Sequence, residues 1–154
     1  MIVPKRILHV DDDREITTVV ALLLRRCGFE TTPVHDPCQV IQDFPRFQER
    51  VVLLDIDMPR INGLELLKEI KAFDGGIQVI MLTGLVTMTT VLQSMRLGAE
   101  ACFFKPITDI TPVADALSDC FRKIERWWVA LDDLSGRRNT ELAKREIVSA
   151  GTAF

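Results

Sequence analysis

No stretch of the 154-residue chain approaches the roughly 20 consecutive apolar residues that a membrane-spanning helix requires. The four cysteines, Cys27, Cys38, Cys102 and Cys120, are scattered without a CxxC pair. That spacing argues against a zinc site or a disulfide framework and favours a reducing, cytoplasmic setting. An excess of positive charge is also missing. A net charge of -3 and a pI near 5.4 argue against a dominant nucleic-acid surface. The opening residues, Met1 to Arg6, run directly into a strand and do not read as a signal peptide. Neither repeats nor low-complexity segments are visible. What is present, 47% hydrophobic and 27% charged residues over this length, suits one globular domain with a sizeable core.

The chain is organised around Val51-Val52-Leu53-Leu54-Asp55. Four apolar residues running into an acid predict a central strand buried on both faces, with Asp55 at its C-terminal end. Met58-Pro59 then breaks the strand, and Asn62-Gly63 turns the chain into a helix from about Leu64 to Phe73. Other strands are predicted at Ile7 to Val10, Phe29 to Val34, Ile77 to Leu82 and Ala101 to Phe104. Helices are predicted at Glu15 to Cys27, Pro37 to Phe44, Thr87 to Leu97 and from Thr111 through about Leu131. The Thr-rich fourth helix should be the least rigid. His9 reads as a strand residue with a local partner, and His35 as an exposed loop residue. Asp132 to Thr140 reads as a polar linker, followed by a short helix over Thr140 to Ala150. The domain itself is placed at residues 1–127 and a C-terminal extension at 128–154.

Five strands alternating with five helices imply an α/β fold. It should be a doubly wound, flavodoxin-like parallel sheet of order 2-1-3-4-5, with its site beyond the carboxyl ends of the strands. Asp11-Asp12-Asp13 follow the first strand. One acid suits a helix N-terminus, but three exceed what a cap needs. In the predicted strand order Asp11, Asp12, Asp55, Thr83 and Lys105 converge. Like charges about 4 Å apart repel by roughly 4 kcal/mol at an effective dielectric of 20, so such a cluster calls for a cation. Its all-oxygen donors favour Mg²⁺. Lys105 and Thr83 suit phosphoryl oxygens, and the chemistry indicated is phosphoryl transfer to Asp55.

These motifs, Val10-Asp11-Asp12-Asp13, Leu54-Asp55-Ile56-Asp57-Met58-Pro59 with Asn62-Gly63, Thr83-Gly84 and Lys105-Pro106, resemble the receiver domains of two-component response regulators over about Lys5 to Trp127. The resemblance implies that Asp55 is the phosphoacceptor and that Thr83 and Lys105 hold the phosphoryl group. It implies Mg²⁺ bound by the carboxylates of Asp12 and Asp55 and the backbone carbonyl of Asp57, with Asp11 acting indirectly. A cis Lys105-Pro106 bond is also common in such domains. The partners implied are a sensor histidine kinase or phosphotransfer protein and a downstream protein. Direct contact with nucleic acid is not expected, nor is turnover of an external substrate.

Three departures stand out. Cys102 occupies the switch position where the family usually carries Tyr or Phe. Acidic Asp57 and apolar Leu85 stand at the two positions that, by the resemblance, flank the attacking water in that family. An effector domain is not expected to follow, and the last helix instead carries Trp127-Trp128 beyond the expected domain end, which suggests a homodimer or partner surface there. Two alternatives compete with the receiver reading. Asp55 and Asp57 also resemble the paired acids of aspartate-based phosphatases, and the missing aromatic would suit a non-phosphorylated pseudo-receiver scaffold.

Overall fold

The computed structural model describes Lys5 to Gly151. The elements are β1 (Lys5–Val10), α1 (Arg14–Arg26), β2 (Phe29–Val34), α2 (Pro37–Asp43), β3 (Val51–Leu54), α3 (Gly63–Phe73), β4 (Gln78–Thr83), α4 (Met88–Arg96), β5 (Ala101–Phe104) and α5 (Thr111–Gly151). A single 3-10 turn, Phe44–Arg46, follows α2. All strand pairs are parallel, and the sheet order is β2-β1-β3-β4-β5, as the alternation of elements predicts. Every residue of β3 and β4 is buried, consistent with strands covered on both faces. Pro33 is tolerated because β2 is an edge strand, where a missing backbone donor faces outward.

Alternate residues of each strand feed two apolar layers. Leu8, Val10, Val52, Leu54 and Met81 join Leu66, Leu67 and Ile70 of α3 in one cluster. Ile7, Leu53, Ile80 and Leu82 occupy the alternate positions and are buried, as are Val20 and Leu24 of α1 and Leu117 of α5. Capping fixes where the helices begin. Asp13 accepts from the backbone N–H groups of Glu15 and Ile16, at 3.0 and 3.2 Å, which accounts for one of the three consecutive acids. Asn62 accepts from Leu64 N–H at 2.8 Å and starts α3.

Three expectations need correction. First, no polar linker separates the last helix from a short terminal one, because α5 is continuous from Thr111 to Gly151. Gly136 alone in that stretch strongly disfavours a helix, at about 1 kcal/mol. Against it stand the Asp133–Arg137 ion pair at 3.1 Å and the bond from the Thr140 hydroxyl to Gly136 O at 3.0 Å. The polar run is the solvated surface of a helix. The chain divides into two compact units inside α5, the second beginning at Arg122. Second, His35 is half-buried, with Nε2 3.0 Å from the Thr17 hydroxyl. Third, His9 has no local partner. It is 1% exposed, and neither ring nitrogen meets a hydrogen-bonding group of the described residues.

Burial, then the nearby charges of Lys105 and His35, lower the His9 pKa to about 3. The unfolded chain binds this proton near the ordinary value of 6.5, so His9 costs stability as pH falls below 6.5 and levels off only near 3. At pH 5 the loss is about 2 kcal/mol. Urea denaturation of His9→Val between pH 7 and 5 should show a correspondingly flatter decline than wild type. Equal slopes would contradict this role for His9.

Candidate functional site

The carboxyl ends of β1, β3 and β4 and the turn after β5 meet at one edge of the sheet. Asp11 and Asp55 extend β1 and β3 by one residue. Asp55 N–H donates to Val10 O at 3.0 Å, and Asp11 N–H to Val34 O at 3.0 Å, so both acids are held by the sheet itself. Both side chains are buried. Lys105 follows β5, and its N–H donates to Thr83 O at 2.9 Å. The Lys105 ammonium lies 2.5 Å from Asp11 Oδ2 and 3.4 Å from Asp55 Oδ2. The Lys105–Pro106 peptide is cis.

Each carboxylate has one oxygen pinned by backbone. Asp13 N–H donates to Asp11 Oδ1 at 2.9 Å, and Ile56 N–H to Asp55 Oδ1 at 2.8 Å. In both acids Oδ2 is the oxygen turned toward Lys105. Burial, with the charge of Asp11 adding to it, raises the Asp55 pKa above the ordinary carboxylate value, although Lys105 and the Ile56 N–H pull the other way. Burial alone would lower the Lys105 pKa, but its hydrogen bond to Asp11 and the charges of both acids carry it above the ordinary lysine value. The ammonium is therefore charged throughout the physiological range.

Asp12 is exposed, yet its carboxylate belongs to the same group. One oxygen each from Asp11, Asp12 and Asp55 lie within 4.8 Å of one another. That spacing of hard oxygen donors fits a divalent cation such as Mg²⁺. Asp57 is exposed in the loop after β3. Thr83 is fully buried at the end of β4, and its hydroxyl oxygen accepts from Leu85 N–H at 3.0 Å. Cys102 is half-buried against the α3-side core, and burial raises its thiol pKa.

This architecture has known relatives. A family profile described as the response regulator receiver domain matches residues 7–116. The chain belongs to the response regulator receiver family. The receiver is 31% identical over 113 residues to sporulation initiation phosphotransferase F of Bacillus subtilis, covering 73% of this chain and 90% of that one. It is also 31% identical over 102 residues to the DNA-binding response regulator MtrA of Mycobacterium tuberculosis, covering 66% of this chain and 44% of that one. The receiver thus spans under half the length of MtrA. A receiver domain from Methanospirillum hungatei superposes with a TM-score of 0.72 at 25% identity, covering 80% of this chain and 99% of that one. One from Clostridium thermocellum gives 0.71 at 26%, covering 82% and 98%. A flavodoxin-type fold is thereby established, as is membership among two-component signalling modules, which are not enzymes acting on external substrates. Among the described residues no helix is long and apolar enough to cross a membrane.

Two parts of the site are not legible in the sequence. Gly63 has the signature of a turn residue, but its role is steric. A Cβ there would lie 1.9 Å from Asp55 O and 2.7 Å from Ile56 Cα. Only glycine lets α3 start directly against the end of β3. Its N–H donates to Ile56 O at 2.8 Å, tying the helix to the residue beside Asp55. The second is a chain of hydroxyls. The Thr90 hydroxyl lies 3.1 Å from Leu85 O and 2.8 Å from Thr87 O, while the Thr87 hydroxyl caps Thr90 N–H at 3.1 Å. Thr83, Leu85, Thr90 and Thr87 therefore link the pocket to the first turn of α4.

Gly63→Ala should destabilise the fold by about 3 kcal/mol or more, because the obstructing atoms are backbone and cannot rotate away. Gly136→Ala, whose Cβ meets nothing within 4 Å, should instead be neutral or stabilise by up to about 1 kcal/mol. Chemical denaturation checks both, and a tolerated Gly63→Ala would contradict the packing of α3 on β3.

Proposed function

We propose that Asp55 is the phosphoacceptor of a phosphorelay, taking its phosphoryl group from a phosphohistidine of a sensor kinase or phosphotransfer protein. The observation that carries this reading is the buried Asp55 carboxylate, with Oδ1 fixed by Ile56 N–H and Oδ2 turned toward the Lys105 ammonium. Oδ2 attacks phosphorus, and a P–O bond forms as the P–N bond breaks. The departing imidazole keeps the electron pair and takes a proton from solvent. Lys105 starts between two carboxylates and turns to the incoming phosphoryl oxygens. Thr83 donates its hydroxyl proton to another of those oxygens while its own oxygen still accepts from Leu85. Asp12 and Asp55 through carboxylates, Asp57 through its backbone carbonyl and Asp11 indirectly would hold Mg²⁺, which when bound offsets the charge of carboxylates and phosphoryl group.

The signal then leaves through α4. A Thr83 drawn toward the phosphoryl group pulls on Leu85, and Leu85 O is the acceptor that orients the Thr90 hydroxyl. Cys102 is too small to act as a moving ring, so the hydroxyl chain carries the change. The receiver's downstream target is a protein rather than nucleic acid, consistent with a net charge of -3. A second copy of the chain is a further partner, through the C-terminal part of α5.

Incubation with acetyl phosphate and Mg²⁺ should add one phosphoryl group, about 80 daltons, to wild type and none to Asp55→Asn by intact-mass measurement. Continuous phosphate release would favour the phosphatase reading, and an unmodified wild type the scaffold reading. Because the Asp55 pKa is raised, its nucleophilic form is lost at a higher pH than for an ordinary aspartate. The uptake rate should therefore fall as pH drops, starting above the pH at which an ordinary aspartate would lose its charge.

Thr90→Val removes the hydroxyl with little change in shape, whereas Thr90→Ser keeps it. Thr90→Val should cost about 1 kcal/mol of stability and abolish the change in α4 hydrogen exchange on adding beryllofluoride. Thr90→Ser should respond like wild type. A full α4 response in Thr90→Val would contradict the hydroxyl route.

A further inference from the structure

From Arg126 to Gly151 every residue of α5 is exposed, although the helix carries a row of large apolar side chains. At about 100° per residue, Ile124, Trp127, Trp128, Leu131, Leu134 and Leu142 fall within about 60° either side of Leu131. Trp127 and Trp128 are 68% and 63% exposed. A helix in this setting draws most of its stability from packing an apolar face, and among the described residues nothing covers this one from Arg126 onward.

The charges beside the stripe identify what covers it. On one flank stand Glu125, Asp132 and Glu146. On the other stand Arg126, Arg137 and Lys144, while Arg138 and Arg145 interrupt the stripe itself, about 20° and 40° from Leu131 toward this basic side. In a parallel pair of identical helices, the two-fold axis brings the acidic flank of one helix against the basic flank of the other. Each acid then lies within about a turn and a half of a base at the same height. An antiparallel pair would set acid against acid and base against base. Glu141 is an acid on the basic side, but it lies 3.9 Å from Arg145 of its own helix. Arg137 likewise pairs with Asp133 at 3.1 Å. Such exposed pairs are worth only tenths of a kcal/mol and leave the guanidinium groups able to share a partner. Near the end of the stripe, Ser149 lies in line with Leu131 about five turns on, and Ala150 and Gly151 follow; these small residues do not obstruct close approach.

We infer that the C-terminal part of α5 forms a parallel, in-register two-stranded coil with a second copy of this chain, its direction selected by the acidic and basic flanks. The stripe and the flanks are present whatever the state of Asp55, so this inference does not depend on phosphoryl chemistry. The coil would hold two receivers with the same ends of their α5 helices together.

The test uses the full chain. Sedimentation equilibrium of wild type should give a dimer at micromolar concentration. The double variant Trp128→Asp/Leu131→Asp should weaken association about a hundredfold, with the melting of the receiver unit unchanged. A Ser149→Cys variant should form a disulfide-linked dimer under mild oxidation when wild type, with its four native cysteines, does not. That link requires the two copies of residue 149 to be neighbours, which only the parallel register provides. A wild type that is monomeric at all concentrations would overturn the inference. So would undiminished association of the double variant, or a dimer in which Ser149→Cys does not cross-link.

Discussion

Lys105 sits between two buried carboxylates, 2.5 Å from Asp11 and 3.4 Å from Asp55, and the rest of the site depends on that placement. Two acids at the ends of adjacent strands would repel by several kcal/mol even at an effective dielectric near 20. One ammonium offsets part of that, and backbone N–H groups on Oδ1 of each acid offset more. The cost is met by the parallel sheet, which presents the ends of β1 and β3 side by side and leaves little room for the acids to separate. The result is a pocket with a surplus of negative charge, one fixed cation and a fully buried hydroxyl nearby. On the function proposed above, it takes a divalent cation and a phosphoryl group together.

Much of this was legible in the sequence because it is carried by strong local signals. An apolar run ending in an acid and broken by Met58-Pro59 predicts a buried strand with its acid at the sheet edge, and β3 is that strand. The other strand ends decide what that acid is for. Strand order and the meeting of Asp11, Asp12, Asp55 and Lys105 then followed from the alternation of elements. The reading failed where the determining contact is distant in the chain or depends on exact geometry. Gly63 looked like any turn glycine, since nothing local reveals that Asp55 O would lie 1.9 Å from its Cβ. His9 looked like a residue with a partner, because polar groups in strands ordinarily find one. The hydroxyl route from Thr83 to Thr90 was hidden by low helix propensity. The threonines that weaken α4 as a helix also supply its cap.

The run from Asp132 to Thr140 misled for a different reason. Polar residues with one glycine describe a linker and the outer surface of a long helix equally well, and i,i+4 charge pairs decide between them. Once α5 is continuous, the paired tryptophans cease to be an oddity at a domain boundary. They become part of an apolar stripe with charged flanks, which is a surface with a direction.

The central claim is that Asp55, and no other acid of the cluster, carries the phosphoryl group. An aspartyl phosphate is an acyl phosphate, and borohydride reduces it to homoserine at the modified position. Wild-type protein treated with acetyl phosphate and Mg²⁺, then reduced and digested, should yield homoserine at residue 55 alone when its peptides are sequenced by mass spectrometry. Homoserine at position 11, 12 or 57 instead, or unmodified aspartate at all four positions, would contradict the account.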